Sequence, residues 1–226
     1  MSTPSDLNAY TVDWSWKKLS FDVQDSKDDR QIMLGDCKNF TKPHIKFTGP
    51  NSEPIGSASF HVVSIHADCE VRGRAKKIQA MKRWTSEYTY LSDAFADGGL
   101  PVAMYWTSSS GFKHWDFILL NANKEPVARF RSNVWALKKL GLIEFMADYS
   151  DRTKEEITIT GITVYYNMIS RVNNPFQLGG ALFSKTGPLD ANAADVQMQN
   201  VSAQKLDANA NVKTDQPTPS DAAVIR

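Results

Sequence analysis

The chain has 226 residues, 42% of them apolar, and its 26 Lys and Arg nearly balance 25 Asp and Glu, leaving a formal charge of +1. That length supports one sizeable core, and the balance removes any bulk charge bias toward a polyanionic or polycationic partner. Two cysteines, Cys37 and Cys69, are too few for a disulfide framework.

Residues 1–9 are polar, contain Pro4 and read as a flexible lead-in. Nothing there resembles a signal peptide, so a cytosolic, reduced protein is expected, and the sequons at Asn39 and Asn200 then carry no weight. From Tyr10 to Ala147 short apolar runs alternate with Gly, Pro, Asn and Asp, the pattern of an all-β barrel or sandwich. The clearest strands are expected at 14–23, 58–65, 88–91, 102–107, 115–120, 127–131 and 142–146. In the first, Trp14 and Trp16 share one face while Leu19, Phe21 and Val23 share the other, a parity change that suggests a bulge. Asn121, Ala122, Asn123 and Lys124 form a hairpin loop between two of the strands. Trp106, Trp115 and Trp135 sit among apolar neighbours and are expected in the core or at a barrel rim.

Residues 153–175, TKEEITITGITVYYNMISRVNNP, read as a buried helix. Thr153 and Glu156 fit a capping box, Glu155 and Glu156 suit the positive end of the helix dipole, and Pro175 cannot continue the helix. Ile162, Tyr165, Tyr166 and Ile169 follow the helical period, while Ile157, Val164 and Met168 make the opposite side apolar as well. A helix apolar nearly all round is enclosed by protein or lipid. The run is shorter than the roughly 20 residues that span a bilayer, so protein is the expected surround. Burying about eight such side chains contributes on the order of 12–24 kcal/mol gross. The alternative is a strand pair, because Ile157 and Ile159 alternate with threonines, but Gly161 breaks that alternation. Beyond Phe183 no aromatic residue remains. The boundary is placed near Gly180, with 10–183 as the barrel domain and 184–226 as a disordered tail.

Many strands before one late apolar helix, with HWDFILL at 114–120, PVARF at 126–130, GLIEF at 141–145 and EITITG at 156–161, resemble the tubby C-terminal family. The similarity is to the branch of LURP-one-related proteins and phospholipid scramblases, most closely to fungal tubby-like proteins, and covers roughly 14–183. It implies a mainly β fold, a closed antiparallel barrel around a central hydrophobic helix. It also implies a non-enzymatic module that binds phosphoinositides or other anionic phospholipids at a membrane periphery.

Residues 71–84, VRGRAKKIQAMKRW, carry six cations and no acid. Arg72, Arg74, Lys76, Lys77, Lys82 and Arg83 are therefore the candidate lipid-binding residues, with Arg suited to bidentate phosphate contact and Lys to point-charge contact. The alternative is a solvated loop. Nucleic acid competes for the same charges, since Trp84, Tyr88 and Tyr90 share strand parity and offer stacking faces. A pI near 7.7 argues against it. His66 and Cys69 have an H-x-x-C spacing without a second ligand pair, so no metal or cofactor is expected. There is no G-x-S-x-G elbow, and Ser108, Ser109, Ser110 and Gly111 read as a loop tip. Two other functions stay open, a protein-interaction adaptor without lipid binding and scramblase-like lipid translocation.

Overall fold

The computed structural model describes residues 8–15, 17–38, 41–83, 86–96, 98–110, 114–133, 139–173, 176 and 184–189. The alternation of apolar and polar residues produces twelve strands: β1 (Ala9–Ser15), β2 (Ser20–Asp25), β3 (Gln31–Cys37), β4 (Ile45–Thr48), β5 (Pro54–Phe60), β6 (Ala67–Val71), β7 (Arg74–Ala80), β8 (Glu87–Ser92), β9 (Val102–Ser110), β10 (His114–Leu120), β11 (Pro126–Asn133) and β12 (Lys139–Phe145). One helix follows, α1 (Asp151–Asn173). Each strand pairs antiparallel with its chain neighbour, and β1 pairs with β12 in a register that sets Tyr10 opposite Ile143. The sheet is therefore a closed barrel, as expected, and closure leaves no free edge to template aggregation.

Several boundaries differ from the sequence expectation. Residues 14–23 are not one bulged strand but the hairpin of β1 and β2, in which Trp14 faces Phe21 and Leu19 takes the left-handed conformation (φ 49°). A turn reverses the chain there, and that reversal explains the parity change. Ser108, Ser109 and Ser110 end β9 rather than forming a loop tip, and Gly111 lies outside the described residues. The hairpin at 121–124 is present, closed by Glu125 N–H donating to Asn121 Oδ1 at 2.9 Å, with Lys124 at φ 65°. Ala9, placed in the lead-in, already belongs to β1 and is buried.

Because neighbouring strands alternate in direction, their connections sort into two ends. The β2–β3, β4–β5, β6–β7, β8–β9 and β10–β11 connections share the end at which α1 begins, here the entry end. Among the connections with described residues, β1–β2, β3–β4, β5–β6 and β7–β8 share the opposite, exit end. Arg72 pairs with Glu155 in the second turn of α1, while Arg171 near the other terminus donates to the Arg83 carbonyl at 2.8 Å. The helix thus runs through the barrel from one end to the other.

Side chains from all round the sheet meet α1. Trp106 of β9 donates from Nε1 to Thr160 Oγ1 at 3.2 Å, Tyr165 packs on Phe117 and Phe130, and Tyr166 packs on Trp14, Phe21 and Phe60. Ile157, Ile159, Ile162 and Val164 are fully buried, and so are Thr158, Thr160 and Thr163. The three hydroxyls donate to the carbonyls of Lys154, Glu156 and Ile159 at 2.7, 2.9 and 2.7 Å, so the threonines satisfy themselves inside the helix. This is how an Ile-Thr alternation that fits a strand is accommodated as a helix.

The helix starts two residues earlier than its expected cap. Ser150 is the cap, accepting from the Thr153 backbone N–H at 3.2 Å and sharing a 2.8 Å hydroxyl contact with the Thr153 side chain. Glu156 is released from capping and turns inward. At the other side of the domain, residues 184–189, expected to open a disordered tail, lie against β7: Gln79 Nε2 donates to the Gly187 carbonyl at 2.8 Å, and Gly187 N–H donates to Ala80 O at 3.3 Å. The chain divides after Leu189, and the second unit, 190–226, lies outside the described residues together with the tail expected there.

Gly161 sits in the middle of α1 with the Trp106 ring 3.1 and 3.2 Å from where a Cβ would stand. Helix propensity alone predicts that Gly161→Ala gains about 1 kcal/mol and that Gly161→Val also gains slightly. Contact with Trp106 reverses this expectation: Gly161→Ala should give no gain, and Gly161→Val should lose about 1–3 kcal/mol in urea denaturation. A stabilised Gly161→Val protein would contradict the packing described here.

Candidate functional site

The basic stretch at 71–84 is a hairpin and a strand, not a single cationic surface. Arg72 (φ 49°) and Gly73 (φ 78°) are the two central residues of the β6–β7 turn, both left-handed, a geometry that glycine makes easy at the second position. Along β7 the side chains then alternate. Arg74 and Lys76 take the inward parity, Lys77 is exposed on the outer face opposite Asp68, and Lys82 and Arg83 follow at the exit end. The structure therefore brings Arg72, Arg74 and Lys76 together at the entry end and separates them from Lys82 and Arg83 by the length of β7.

At the entry end the three cations already have anionic partners. Arg72 holds Glu155 through Nε and a terminal nitrogen at 2.8 and 2.9 Å, a bidentate pair. Arg74 contacts Asp93 at 3.1 Å. Lys76, its side chain 1% exposed, is 2.8 Å from Asp93, 3.1 Å from Glu156 and 3.2 Å from the Leu91 carbonyl, which uses its three donors. Two cations and two carboxylates make a neutral group whose inner pair, Lys76 and Glu156, is buried while Arg74 remains exposed. Burial pushes the Asp93 carboxyl up, but Lys76 and Arg74 outweigh it and hold it below its ordinary value. An open pocket of about 460 Å³ lies outside this group, lined by Arg72, Arg74, Asp151, Arg152 and Glu155. Its charges nearly cancel, and Lys76, a candidate headgroup contact by sequence, is behind the wall and cannot reach a membrane surface.

The exit end has the opposite character. Its connections with described residues, β1–β2, β3–β4, β5–β6 and β7–β8, contain Lys17, Lys18, Lys38, Lys42, Lys82 and Arg83, and none of these four contains an acidic residue. All six are exposed. Lys82 pairs with Glu87 of β8 at 3.3 Å, with its side chain 65% exposed. Among the described residues, the entry-end connections instead hold Asp28, Asp29, Glu53, Asp93 and Glu125 against Lys27, Arg30, Arg72 and Lys124. Sequence reasoning missed Lys17, Lys18, Lys38 and Lys42 because they lie in two short stretches far from residue 71. The available signal was regular alternation of connections in a barrel, which puts every second loop at one end.

Three histidines line the same end. His44 Nδ1 accepts the Phe60 backbone N–H at 3.0 Å, and His66 Nδ1 accepts that of Ala80 at 3.1 Å. His61 Nε2 lies 2.8 Å from Asp68 Oδ2. Desolvation, followed by Lys42 and His61, lowers the pKa of His44. Desolvation and Lys77 lower that of His66 against the pull of the Lys185 backbone carbonyl.

The remaining candidate chemistry is accounted for structurally. Burial pushes the Cys37 and Cys69 thiols up to about 12, so neither is a thiolate nucleophile at neutral pH. Tyr88 and Tyr90 are fully buried and present no stacking face, while Trp84 lies outside the described residues, as do Trp135 and the Trp115 side chain. Trp106 is in the core, as expected. Among the described residues no group of three or more His, Cys, Asp and Glu is placed to hold a metal, and no helix is long and apolar enough to cross a membrane. No protein-family model, curated protein or solved structure matched the chain.

Two predictions follow from these geometries. Lys76→Met should lose about 3–5 kcal/mol in denaturant, because it leaves the buried Glu156 carboxylate without its ammonium partner; a loss below about 1 kcal/mol would show that the group is solvated. The second concerns pH. His44 and His66 have folded pKa values below the unfolded one of about 6.5, so their neutral forms stabilise the fold above that pH and the contribution falls away below it. Asp93, also depressed, withdraws its contribution at still lower pH. The thermal midpoint should therefore be level above about pH 7 and fall below 6.5, and His44→Gln with His66→Gln should flatten the first part of that decline.

Proposed function

We propose that the protein is a non-enzymatic, tubby-like module that associates peripherally with membranes by binding anionic phospholipids, phosphoinositides included, through the exit end of the barrel. The observation that carries this reading is the row of four neighbouring loops with six exposed cations and no acid. Near an anionic leaflet each such charge contributes about 1 kcal/mol, and the attraction is screened within about 10 Å at 0.1 M salt. With Lys82 discounted for its contact with Glu87, about five charges remain, enough for reversible attachment. The closed barrel around an apolar helix and the resemblance of 114–161 to tubby domains support the module class, although such a fold by itself specifies no activity. Of the six cations in the original basic stretch, Lys82 and Arg83 belong to this surface, and Lys77 flanks it on the outer wall.

Co-sedimentation with vesicles tests the reading. Binding should require phosphatidylserine or phosphoinositide, weaken between 50 and about 300 mM salt, and fall about tenfold or more in the variant Lys17→Glu, Lys18→Glu, Lys82→Glu, Arg83→Glu. Arg72→Gln should leave binding within about twofold. Equal binding to neutral vesicles, or none to charged ones, would remove lipid as the partner and favour a protein-binding adaptor.

A further inference from the structure

Within the basic rim, the β5–β6 loop carries two adjacent apolar side chains that the barrel does not cover, Val62 at 68% and Val63 at 57% exposure. Exposed single valines are ordinary, but this pair lies on a loop whose two ends are fixed. At the near end Phe60 gives its N–H to His44, and its ring stacks on Tyr166 of α1 with centroids 5.4 Å apart. At the far end Ile65 is fully buried, and its carbonyl accepts from Asn167 Nδ2 of α1 at 3.0 Å. Residues 61–64 therefore arch outward between two pinned positions, and little ordering entropy remains to be lost when the tip is covered.

The neighbours of this loop identify what covers it. Around the barrel it lies between the β3–β4 loop, with Lys38 and Lys42, and the β7–β8 loop, with Lys82 and Arg83. An apolar tip flanked on both sides by cations matches a leaflet whose anionic headgroups stand above acyl chains, with each layer at the depth of its complement. A protein partner would need an acidic collar around an apolar hole, and a second copy would set two basic rims against each other. Charge complementarity selects the membrane.

We propose that Val62 and Val63 enter the headgroup–acyl boundary of an anionic bilayer, making the β5–β6 loop the apolar anchor of the docking face. The inference rests on the lipid-binding reading above and adds to it a component of binding that salt does not screen. The test uses the full chain carrying Val63→Cys labelled with the polarity-sensitive dye NBD, which is selective because Cys37 and Cys69 are buried. With vesicles containing phosphatidylserine, the emission should shift to the blue and rise several-fold. In unlabelled protein, Val62→Ser with Val63→Ser should lower partitioning about tenfold and remove most of the binding that survives high salt, with the thermal midpoint unchanged. Emission that stays aqueous while sedimentation shows the protein bound would overturn the anchor and leave the electrostatic reading standing. Failure of wild-type protein to bind charged vesicles at low salt would overturn both. A blue shift without vesicles that grows with protein concentration would assign the loop to self-association and end the proposal.

Discussion

A helix enclosed by a closed sheet has no water to turn to, and that constraint governs this structure. Polar groups that α1 takes inside have only the helix itself and the inner wall to pair with. The threonines answer it locally, each hydroxyl returning to a carbonyl one turn back. Glu156 answers it with one oxygen, Oε2, on Lys76, which also holds Asp93, while its Oε1 stays unpaired. Because the attraction within such a group only roughly offsets the desolvation of its members, its contribution lies less in net stability than in register: Lys76 meets Glu156 at one rotation and one depth of the helix.

The same constraint divides the basic stretch. Strand geometry sends successive side chains to opposite faces, so six cations spread over 72–83, across a turn, a strand and the connection after it, cannot share one surface. Lys76 is drawn inward because the helix brings Glu156 there, Arg74 stays half exposed on Asp93 of the β8–β9 connection, and Arg72, at the turn, closes on Glu155. What linear proximity gathered, the pleat distributes among core, outer wall and the two ends. Antiparallel alternation does the reverse for residues distant in sequence, collecting Lys17, Lys42 and Arg83 on one rim.

Barrel and helix were legible because each rests on a period: alternation in the strands, and apolar residues on both sides of 157–169 with a stop at Pro175. Less legible were features set by one atom or one turn. The cap passed from Thr153 to Ser150, since both hydroxyls suit the position and only the tertiary fit of Glu156 to Lys76 decides between them. The break between β1 and β2 was hidden because Leu19, an unusual residue for the left-handed region, makes the turn without a Gly, Asn or Pro to mark it. The basic rim was illegible for another reason: it exists only after closure, when loops separated by whole hairpins become neighbours.

Closure also joins the rim to the core. Tyr166 and Asn167, consecutive residues of α1, take the two ends of the β5–β6 loop, one through the Phe60 ring and the other through the Ile65 carbonyl. The same helix is held at the entry end by Arg72 and Lys76 and at the exit end by Arg83's carbonyl. Since α1 is a continuous hydrogen-bonded rod over 23 residues, its position at the entry end determines where Tyr166 and Asn167 stand at the other. The neutral charge group at one mouth of the barrel thereby sets the pose of the apolar loop at the other, and the exposed loop inherits the rigidity of the most buried element in the molecule.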